Sequence, residues 1–381
     1  MEFFSSQAGD HRRAVVACFA LMAVSSGVWY TGSLFFVAII REFGWSHATA
    51  ASVFSLFMVS YGAWGILIGC LVDRIGPRRV VLAGGIILAV ALVGNGSALA
   101  LWHLYVTHSL LSALGLAATS YVPVSLILTR RFRTQRGLAF GIASAGVGIG
   151  IMLLVPLVQL LISLWGWRAA YRAIAVIASL VILPMGLFAL KETGITPVAE
   201  EGDPRAASPA FARGVGADRD WTLARALGSR EFWLVAATYM CLNGPTQLML
   251  THHVAYLVEM GQPKMVAAGI VGLVGLFSIP GKIGWGYLSD HVWLELIYSA
   301  GSLCVAAASL SLLLIGPASA TCNLYGYAIL IGFGYAVAAS MNPILSGRFF
   351  MGRHFGVILG TLNTFYHGAA GVGIWLATPT I

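Results

Sequence analysis

The sequence predicts an all-α protein that crosses a membrane many times, on the evidence of its composition and of the spacing of its charges. Of 381 residues, 59% are hydrophobic and 9% are charged, and the mean hydropathy is +0.86. A soluble domain is ~25% charged, so this chain has too little polar surface to be a water-soluble globule. The composition therefore excludes a cytosolic enzyme, a secreted disulfide scaffold and a disordered protein.

Long windows without Asp, Glu, Lys or Arg mark the predicted membrane-spanning helices. A helix that crosses the hydrocarbon core needs about 20 apolar residues. Seven windows hold one span each, and two longer windows hold two spans each, divided at Gly94-Asn95-Gly96 and at Gly316-Pro317. We therefore predict eleven helices, in the windows 14–40, 43–72, 80–129, 137–167, 173–190, 232–258, 265–281, 296–347 and 354–381.

A polar segment separates six predicted helices from five. Residues 191–231 are rich in Pro, Gly, Ala and charge, a composition typical of a linker. We expect an N-terminal half at 1–190, a cytoplasmic linker at 191–231 and a C-terminal half at 232–381. At the end of the linker, residues 221–227 are predicted to form a short helix in the membrane interface.

The basic residues predict the orientation. With the N-terminus inside, seventeen Lys and Arg fall on the cytoplasmic side and four fall outside. An excess of basic residues in cytoplasmic loops is the rule for membrane proteins. We expect an inner or plasma membrane protein whose C-terminus, after eleven helices, lies outside. The net charge of +8 then reflects topology and not a nucleic-acid-binding surface. The five cysteines lie apart without a Cys-x-x-Cys pair, so we expect neither a disulfide framework nor a metal site or cofactor.

The two halves share an internal repeat at an offset near 217 residues. Gly69-Cys-Leu-Val-Asp73-Arg74 after the second span matches Gly286-Tyr-Leu-Ser-Asp290-His291 after the eighth, and Arg131-Phe132 matches Arg348-Phe349. Repeated helical halves around a central cavity are the architecture of many secondary transporters.

The first copy of this repeat carries a family resemblance. Residues Gly69-Cys-Leu-Val-Asp73-Arg74-Ile-Gly76-Pro-Arg78-Arg79 resemble the loop 2–3 signature of the major facilitator superfamily, G-x-L-x-D-R-x-G-x-R-R. Residues 136–146 and 166–171 are similar to the monocarboxylate and oxalate/formate branch. The resemblance implies a transporter with two six-helix repeats, not an enzyme. Since the family has twelve helices, the twelfth is missing here, and we expect a truncated sequence or a natural variant.

The resemblance also implies a gate. Asp73 is expected to meet a facing helix N-terminus and the loop arginines, which would latch the halves together on the cytoplasmic side. The alternative is that these charges only determine topology. The second copy is degraded, because no basic cluster follows Asp290. The predicted gating residues are Gly69, Asp73, Arg74, Gly76, Arg78, Arg79 and Asp290.

Lys282 is the main candidate for substrate binding, since it is the one acidic or strongly basic residue that we place inside a span. A charge near the bilayer centre costs at least ~2.5–3.5 kcal/mol on insertion scales and therefore suggests function. An unpaired cation in a cavity suits an anionic substrate. The resembled branch has an arginine at this position. The alternative is that the lysine reaches the cytoplasmic interface and anchors the helix.

Other polar side chains are predicted to complete the pocket. His367 occupies a position where the oxalate/formate transporters have a lysine, so it is expected to bind a carboxylate or to titrate; an interior, hydrogen-bonded histidine is the alternative. Helical spacing on the first, seventh and tenth helices, which line the cavity in this superfamily, adds Tyr30, Asn243, Gln247, Tyr335 and Asn342. These side chains equally suit contacts between helices.

From these residues we predict a monomeric carrier that moves a small organic anion, a monocarboxylate, across the lipid bilayer by alternating access. One alternative is an efflux carrier for neutral or cationic molecules. The other is a truncated remnant or sensor that does not transport.

Overall fold

The computed structural model describes residues 8–45, 47–132, 135–189, 221–316 and 321–377, and every regular element in these ranges is helical. The all-α fold class predicted from the sequence is confirmed. The helices are α1 (Ala8–Phe43), α2 (His47–Ile75), α3 (Pro77–Asn95), α4 (Leu101–Leu104), α5 (Ala113–Thr119), α6 (Tyr121–Arg131), α7 (Arg136–Pro184), α8 (Leu223–Leu227), α9 (Arg230–Glu259), α10 (Lys264–Ser289), α11 (Leu294–Leu313), α12 (Thr321–Phe350) and α13 (Phe355–Ala377).

The predicted fourth span is a continuous path of several helical segments. A π-helical segment, Tyr105–Ser112, joins α4 to α5, and Ser120 leaves the helical conformation between α5 and α6. The wider π turn does not break the crossing, because it is tied to α2 by hydrogen bonds from Ser109 to the Val53 carbonyl (2.7 Å) and from Trp64 to the Leu110 carbonyl (3.1 Å).

The fifth and sixth predicted spans are the two limbs of α7. Gly166 lies between them with φ 78°, a backbone conformation that side chains other than glycine rarely adopt. The second limb runs back along α3, because Arg168 at its start lies against Gly96 at the end of α3, and Gly186 beyond its end lies against Leu82 near the start of α3. One glycine thus turns the chain between two crossings.

Eight helices of the described residues are long and apolar enough to cross a membrane, with both limbs of α7 counted as one. The count of eleven crossings stays a prediction. Most of the predicted linker, residues 190–220, lies outside the described residues. Its end does form the predicted short helix, α8, which Thr222 caps by accepting a hydrogen bond from the amide of Arg225. Beside it Trp221 is 4% exposed and packs on Phe350.

The two halves meet along two helix pairs, α2 with α13 and the first limb of α7 with α10. At each pair glycines let the backbones touch. A side chain on Gly69 would collide with the Gly356 backbone, and one on Gly286 would collide with the Gly137 backbone. We call the end of the bundle that holds Asp73 and Asp290 the motif side. These contacts bring the halves together there.

Candidate functional site

Lys282 lies on α10, on the helix that packs against the other half. Its side chain is 0% exposed, and its Nζ atom has no hydrogen-bond partner among the described residues. The ammonium group faces the ring of Tyr335 on α12, whose centroid lies 5.0 Å from Nζ. The structure thus holds an ammonium group away from solvent without a counter-ion in the part of the chain that it describes.

The side chain of Lys282 points away from the motif side. Ser340 on α12 donates a hydrogen bond to the carbonyl of Lys282 (3.3 Å), so these two backbones lie at the same depth. Tyr335, which receives the ammonium group, lies five residues farther from the motif side on the same helix, a rise of ~7.5 Å. Lys282 therefore reaches toward the middle of the bundle and not toward the nearer set of headgroups.

A tyrosine of the N-terminal half lies near the tyrosine that faces Lys282. Tyr30 on α1 is 39% exposed, and its hydroxyl lies within electrostatic range of that of Tyr335. Because α1 belongs to the N-terminal half and α12 to the C-terminal half, this pair of tyrosines lies between the halves. The sequence predicted both tyrosines in the cavity wall, and Tyr335 is the one that contacts Lys282.

A layer of tyrosines extends from this pair across the bundle. Tyr366 on α13 is within electrostatic range of Tyr30 and Tyr61. Tyr121 is within range of Tyr239 and Tyr298, and also of Tyr366 and Tyr61. The Asn243 amide donates a hydrogen bond to the Tyr366 carbonyl (2.8 Å). We call this set the central layer; its members are Tyr30, Tyr61, Tyr121, Asn243, Lys282, Tyr335 and Tyr366.

The central layer lies near the middle of the membrane-spanning helices. Its members on α2, α6, α9, α12 and α13 lie 10 to 15 residues from the motif-side ends of their helices. At 1.5 Å per residue this is a depth of roughly 15–22 Å. Both halves contribute side chains, so the layer sits where a secondary transporter holds its substrate.

His367 borders the central layer from α13. Its ring lies 4.9 Å from the Tyr61 ring and 5.9 Å from the Trp29 ring, and the residue is half-buried. The imidazole of the C-terminal half is thus inserted between aromatic side chains of the N-terminal half. Its role in carboxylate binding or titration stays a prediction.

Asn342, predicted to line the pocket, takes part in a different network. Its carbonyl accepts a hydrogen bond from Tyr239, and its Oδ1 accepts one from Tyr298 (2.8 Å). Tyr239 also hydrogen-bonds with Ser346 (2.6 Å). This anchoring network, Tyr239, Tyr298, Asn342 and Ser346, joins α9, α11 and α12 nearer the motif side. Such satisfied bonds are typical of contacts between membrane helices. Gln247 is half-buried on α9, one turn beyond Asn243.

Asp73 joins α2 to the N-terminus of α13. Its carboxylate accepts hydrogen bonds from the amides of Gly356 (3.0 Å) and Val357 (2.9 Å), and its side chain is 6% exposed. A carboxylate at a helix N-terminus is favoured by the free amides and the helix dipole. This is the contact that the family resemblance implies. Arg130 at the end of α6 forms an ion pair with Asp73, at 3.6 Å.

Asp290 makes the corresponding contact in the second copy. It follows α10 and accepts hydrogen bonds from the amides of Gly137 and Leu138 at the start of α7, both at 2.9 Å. Burial raises the pKa of the Asp290 carboxyl, and these two amides offset part of the increase. The two aspartates thus form a pair of latches across the halves on the motif side.

The loop arginines were expected beside Asp73, and one of them, Arg78, binds elsewhere. Arg78 donates to the carbonyls of Gly186 (3.1 Å) and Leu187 (2.9 Å), so it caps the end of the sixth span within the N-terminal half. Arg74 and Arg79 are exposed. Gly76 begins α3 with φ 85°, a conformation that favours glycine. The role of these residues in gating stays a prediction.

The sequence did not single out Tyr61, Tyr121 and Tyr366 as site residues, nor Arg130 as the partner of Asp73. A usable signal existed for the tyrosines: each lies deep inside a charge-free window and not at its edge, where tyrosines anchor helices at the membrane interface. Arg130 gave no comparable signal, since a basic residue at a span end is also what topology requires.

Two similar helical halves, joined by a latch at each helix pair and enclosing a polar layer with a buried cation, define a secondary membrane transporter. Residues 17–374 match the profile of the Major Facilitator Superfamily, and the chain belongs to this superfamily. It is therefore an integral membrane transporter of small molecules and not an enzyme.

Two relatives of known name are monocarboxylate transporters. The chain is 26% identical to monocarboxylate transporter 12-B of Danio rerio, over 96% of this chain and 81% of that protein. It is 28% identical to monocarboxylate transporter 13 of Rattus norvegicus, over 89% of this chain and 76% of that protein. The fold resembles the crystal structure of the E. coli fucose:proton symporter, with a TM-score of 0.68, 15% identity and coverage of 96% and 90% of the two chains.

Proposed function

We propose that this transporter moves a small organic anion, a monocarboxylate, by alternating access, and that Lys282 holds the carboxylate. The observation that carries the proposal is the ammonium group of Lys282, which is buried in the mid-depth of the bundle without a hydrogen-bond partner among the described residues. The similarity to monocarboxylate transporters supports the same substrate class.

The energetics of Lys282 favour an anionic partner. A lysine at the centre of a membrane helix costs at least ~2.5–3.5 kcal/mol. The face of Tyr335 offsets about 0.5–2 kcal/mol of this through a cation–π interaction. A substrate carboxylate would supply the missing counter-charge and charge-assisted hydrogen bonds. The direction of the side chain argues against the alternative of an interfacial anchor.

The remaining parts of the site would act around this ion pair. Tyr30 and Tyr335 would cover the bound carboxylate, and His367 would donate a hydrogen bond to it or titrate during the cycle. The latches of Asp73 and Asp290 would hold the motif side closed while the opposite side exchanges substrate. From the positive-inside bias we infer that the motif side would face the cytoplasm of an inner or plasma membrane. We expect the carrier to be a monomer.

The rival function, export of neutral or cationic molecules, has less support. Acidic side chains in the described ranges lie at helix ends and not in the central layer. A cation there would meet the charge of Lys282 and find no carboxylate. A non-transporting sensor is the further alternative, and the counterflow experiment described next tests it as well.

Counterflow in proteoliposomes, with a panel of mono- and dicarboxylates, tests the proposal. The Lys282→Gln variant removes the charge but retains a polar chain, and we expect about a 10- to 100-fold loss of monocarboxylate uptake, the value of a charge-assisted hydrogen bond. Lys282→Arg should recover part of the activity, because it keeps the charge.

The matched control is Arg230→Gln, which removes a positive charge at an exposed position at the start of α9, on the motif side. It should keep most of the uptake. Uptake of a cation that survives Lys282→Gln, in a protein that never moves carboxylates, would establish the exporter instead. Absence of counterflow with every carboxylate would overturn the proposal.

A further inference from the structure

Lys282 lies where α10 crosses the first limb of α7, at one of the two contacts between the halves. A side chain on Gly141 of α7 would place its first carbon atom 2.5 Å from the Lys282 carbonyl oxygen, which is too close for atoms that are not bonded. Glycine is the residue that permits so close an approach of two backbones. The backbone that carries the ammonium group is therefore in direct contact with the opposite half.

The other contact between the halves, α2 with α13, has a glycine at the corresponding point. There a side chain on Gly360 would lie 2.2 Å from the Gly65 carbonyl oxygen. Gly65 and Lys282 each lie four residues before a motif glycine, Gly69 or Gly286, so the internal repeat relates the two positions. Lys282 thus occupies a crossing that in the other copy serves close packing.

Two buried serines connect this crossing to both halves. Ser340 on α12 is 0% exposed, and its hydroxyl donates to the Lys282 carbonyl oxygen at 3.3 Å. The same hydroxyl lies 3.0 Å from that of Ser144 on α7, which is 3% exposed and within 3.1 Å of the Gly141 carbonyl oxygen. Since a hydroxyl donates one hydrogen and accepts others, Ser144 can donate to Ser340 while Ser340 donates to Lys282. We call Ser144 and Ser340 the serine link, because they join the N-terminal half to the backbone of Lys282.

Opening of the motif side would break the serine link between its two serines. In alternating access the halves move against each other largely as rigid bodies. Ser144 lies eight residues from the motif-side end of α7, a depth of ~12 Å, and is therefore on the side that opens. Ser340 would remain with Lys282, because both belong to the C-terminal half, where Trp285 of α10 also donates to the Phe333 carbonyl of α12 (2.9 Å).

We infer that Ser144 and Ser340 are positioning residues, which fix Lys282 for the substrate carboxylate while the motif side is closed and free it when that side opens. They act through the backbone of Lys282 and not on the substrate itself. The carboxylate then binds more tightly to the state with a closed motif side. The inference rests on the proposed role of Lys282 and adds a coupling between binding and gating that this role does not require.

The expected signature is a shift of the protein toward a closed motif side when the acid binds. A ligand shifts a conformational equilibrium only by the difference in its affinity for the two states. Because the serine link supplies this difference, a saturating monocarboxylate should raise the ratio of closed to open molecules about 2- to 10-fold, the value of one hydrogen bond.

The test is the distance distribution between spin labels at positions 74 and 353, which are exposed on the motif side, one in each half. The five native cysteines are replaced first. The distances are recorded without ligand and with acetate, propanoate or butanoate, whichever of the three the counterflow experiment shows to be taken up best.

Variants of the serine link should change this response to the acid. Ser144→Ala and Ser340→Ala should remove most of it, whereas Ser144→Thr, which keeps the hydroxyl, should retain it. Ser109→Ala is the matched control, because it removes a hydroxyl that is 0% exposed and bonded to the Val53 carbonyl within the N-terminal half. Its response should equal that of the parent.

A purely structural role of the serines gives a different result. Ser144→Ala would then move the distances toward the open state without acid and leave the response to the acid as large as in the parent, which would overturn the inference. If the parent shows no response but takes up an acid, and Lys282→Gln abolishes that uptake, the inference is wrong and the role of Lys282 survives. If the parent takes up no monocarboxylate, both fall together.

Discussion

The two latches are related by the internal repeat, yet their surroundings differ. Asp73 and Asp290 each accept two amide hydrogen bonds from a helix of the opposite half, at 2.9–3.0 Å. Only the first copy keeps the basic cluster, with Arg130 paired to Asp73 and Arg78 bound to the end of the sixth span. In the second copy, Arg348, which matches Arg131 in the repeat, pairs with Glu295 of its own half at 2.7 Å.

This difference separates two functions of the motif. What both copies retain is an aspartate, the glycines that allow close approach and the amides of a helix N-terminus, so these parts join the halves. What only the first copy retains is a set of arginines that act largely within the N-terminal half. We propose that the contact between the halves depends on the carboxylate and the glycines, whereas the basic cluster mainly stabilises the half that carries it.

The largest effect is expected from the carboxylates. Asp73→Asn keeps one acceptor but loses the charge, and it leaves Arg130 without its partner, so we expect the motif side to open about 10- to 100-fold more often. Asp290→Asn should act in the same direction and less strongly. The measurement is the distance distribution between spin labels at the exposed positions 74 and 353, one in each half, after replacement of the five native cysteines.

Asp10→Asn is the control for this experiment, because Asp10 is an exposed aspartate at the start of α1 whose side chain is 53% exposed. Its distance distribution should match that of the parent. Equal or larger opening in Asp290→Asn than in Asp73→Asn would show that Arg130 adds nothing to the first latch.

A smaller effect is expected at Arg78, and on a different quantity. Arg78→Gln removes the charge-assisted bonds to two carbonyls and should lower the stability of the protein by roughly 1–3 kcal/mol. Thermal unfolding in detergent measures this loss, with exposed Arg74→Gln as the control. The spin-label distances should stay those of the parent, and a shift toward opening would place Arg78 in the latch itself.

The fold was predictable because the membrane imposes it. Hydrocarbon forces the chain into helices of about 20 apolar residues, so charge-free windows locate them. Windows do not reveal that Gly166 turns α7 back, or that Tyr105–Ser112 is π-helical, since both depend on backbone geometry that apolarity does not encode.

The sequence predicted site residues only where a residue type was unusual for its surroundings or belonged to a motif. Lys282 is a charge in an apolar window, and Asp73 belongs to a spaced motif. A tyrosine inside a membrane-spanning helix is not unusual, so Tyr121 and Tyr366 gave only a weak signal. Helical spacing put Asn342 on the same face of α12 as Tyr335. Spacing predicts which face of a helix a residue occupies but not which side chains it meets. At the depth of Asn342, this face of α12 packs on Tyr239 and Tyr298.

The smallest effect is expected at the end of the N-terminal half opposite the latches. There Glu42 accepts hydrogen bonds from Arg168 and Trp167, while Arg168 also donates to the Ala98 carbonyl (3.1 Å). The bond from Arg168, followed by that from Trp167, lowers the pKa of Glu42. Because the folded pKa lies below that of the unfolded chain, the stabilisation is complete above the unfolded pKa of ~4.3 and is lost as the pH falls through the lower folded pKa.

Glu42→Gln tests whether the contacts of Glu42 with Arg168 and Trp167 stabilise the N-terminal half without affecting the latches. The parent should unfold at a higher temperature than the variant at pH 7, and the difference should shrink as the pH falls below ~4.3. The gain is small, because the Glu42 side chain is 43% exposed and water screens the pair. Since Glu42, Arg168 and Ala98 all belong to the N-terminal half, the variant should leave the motif-side distances unchanged. A difference in unfolding temperature that does not vary with pH would mean that packing, and not the ionised carboxylate, holds this end together.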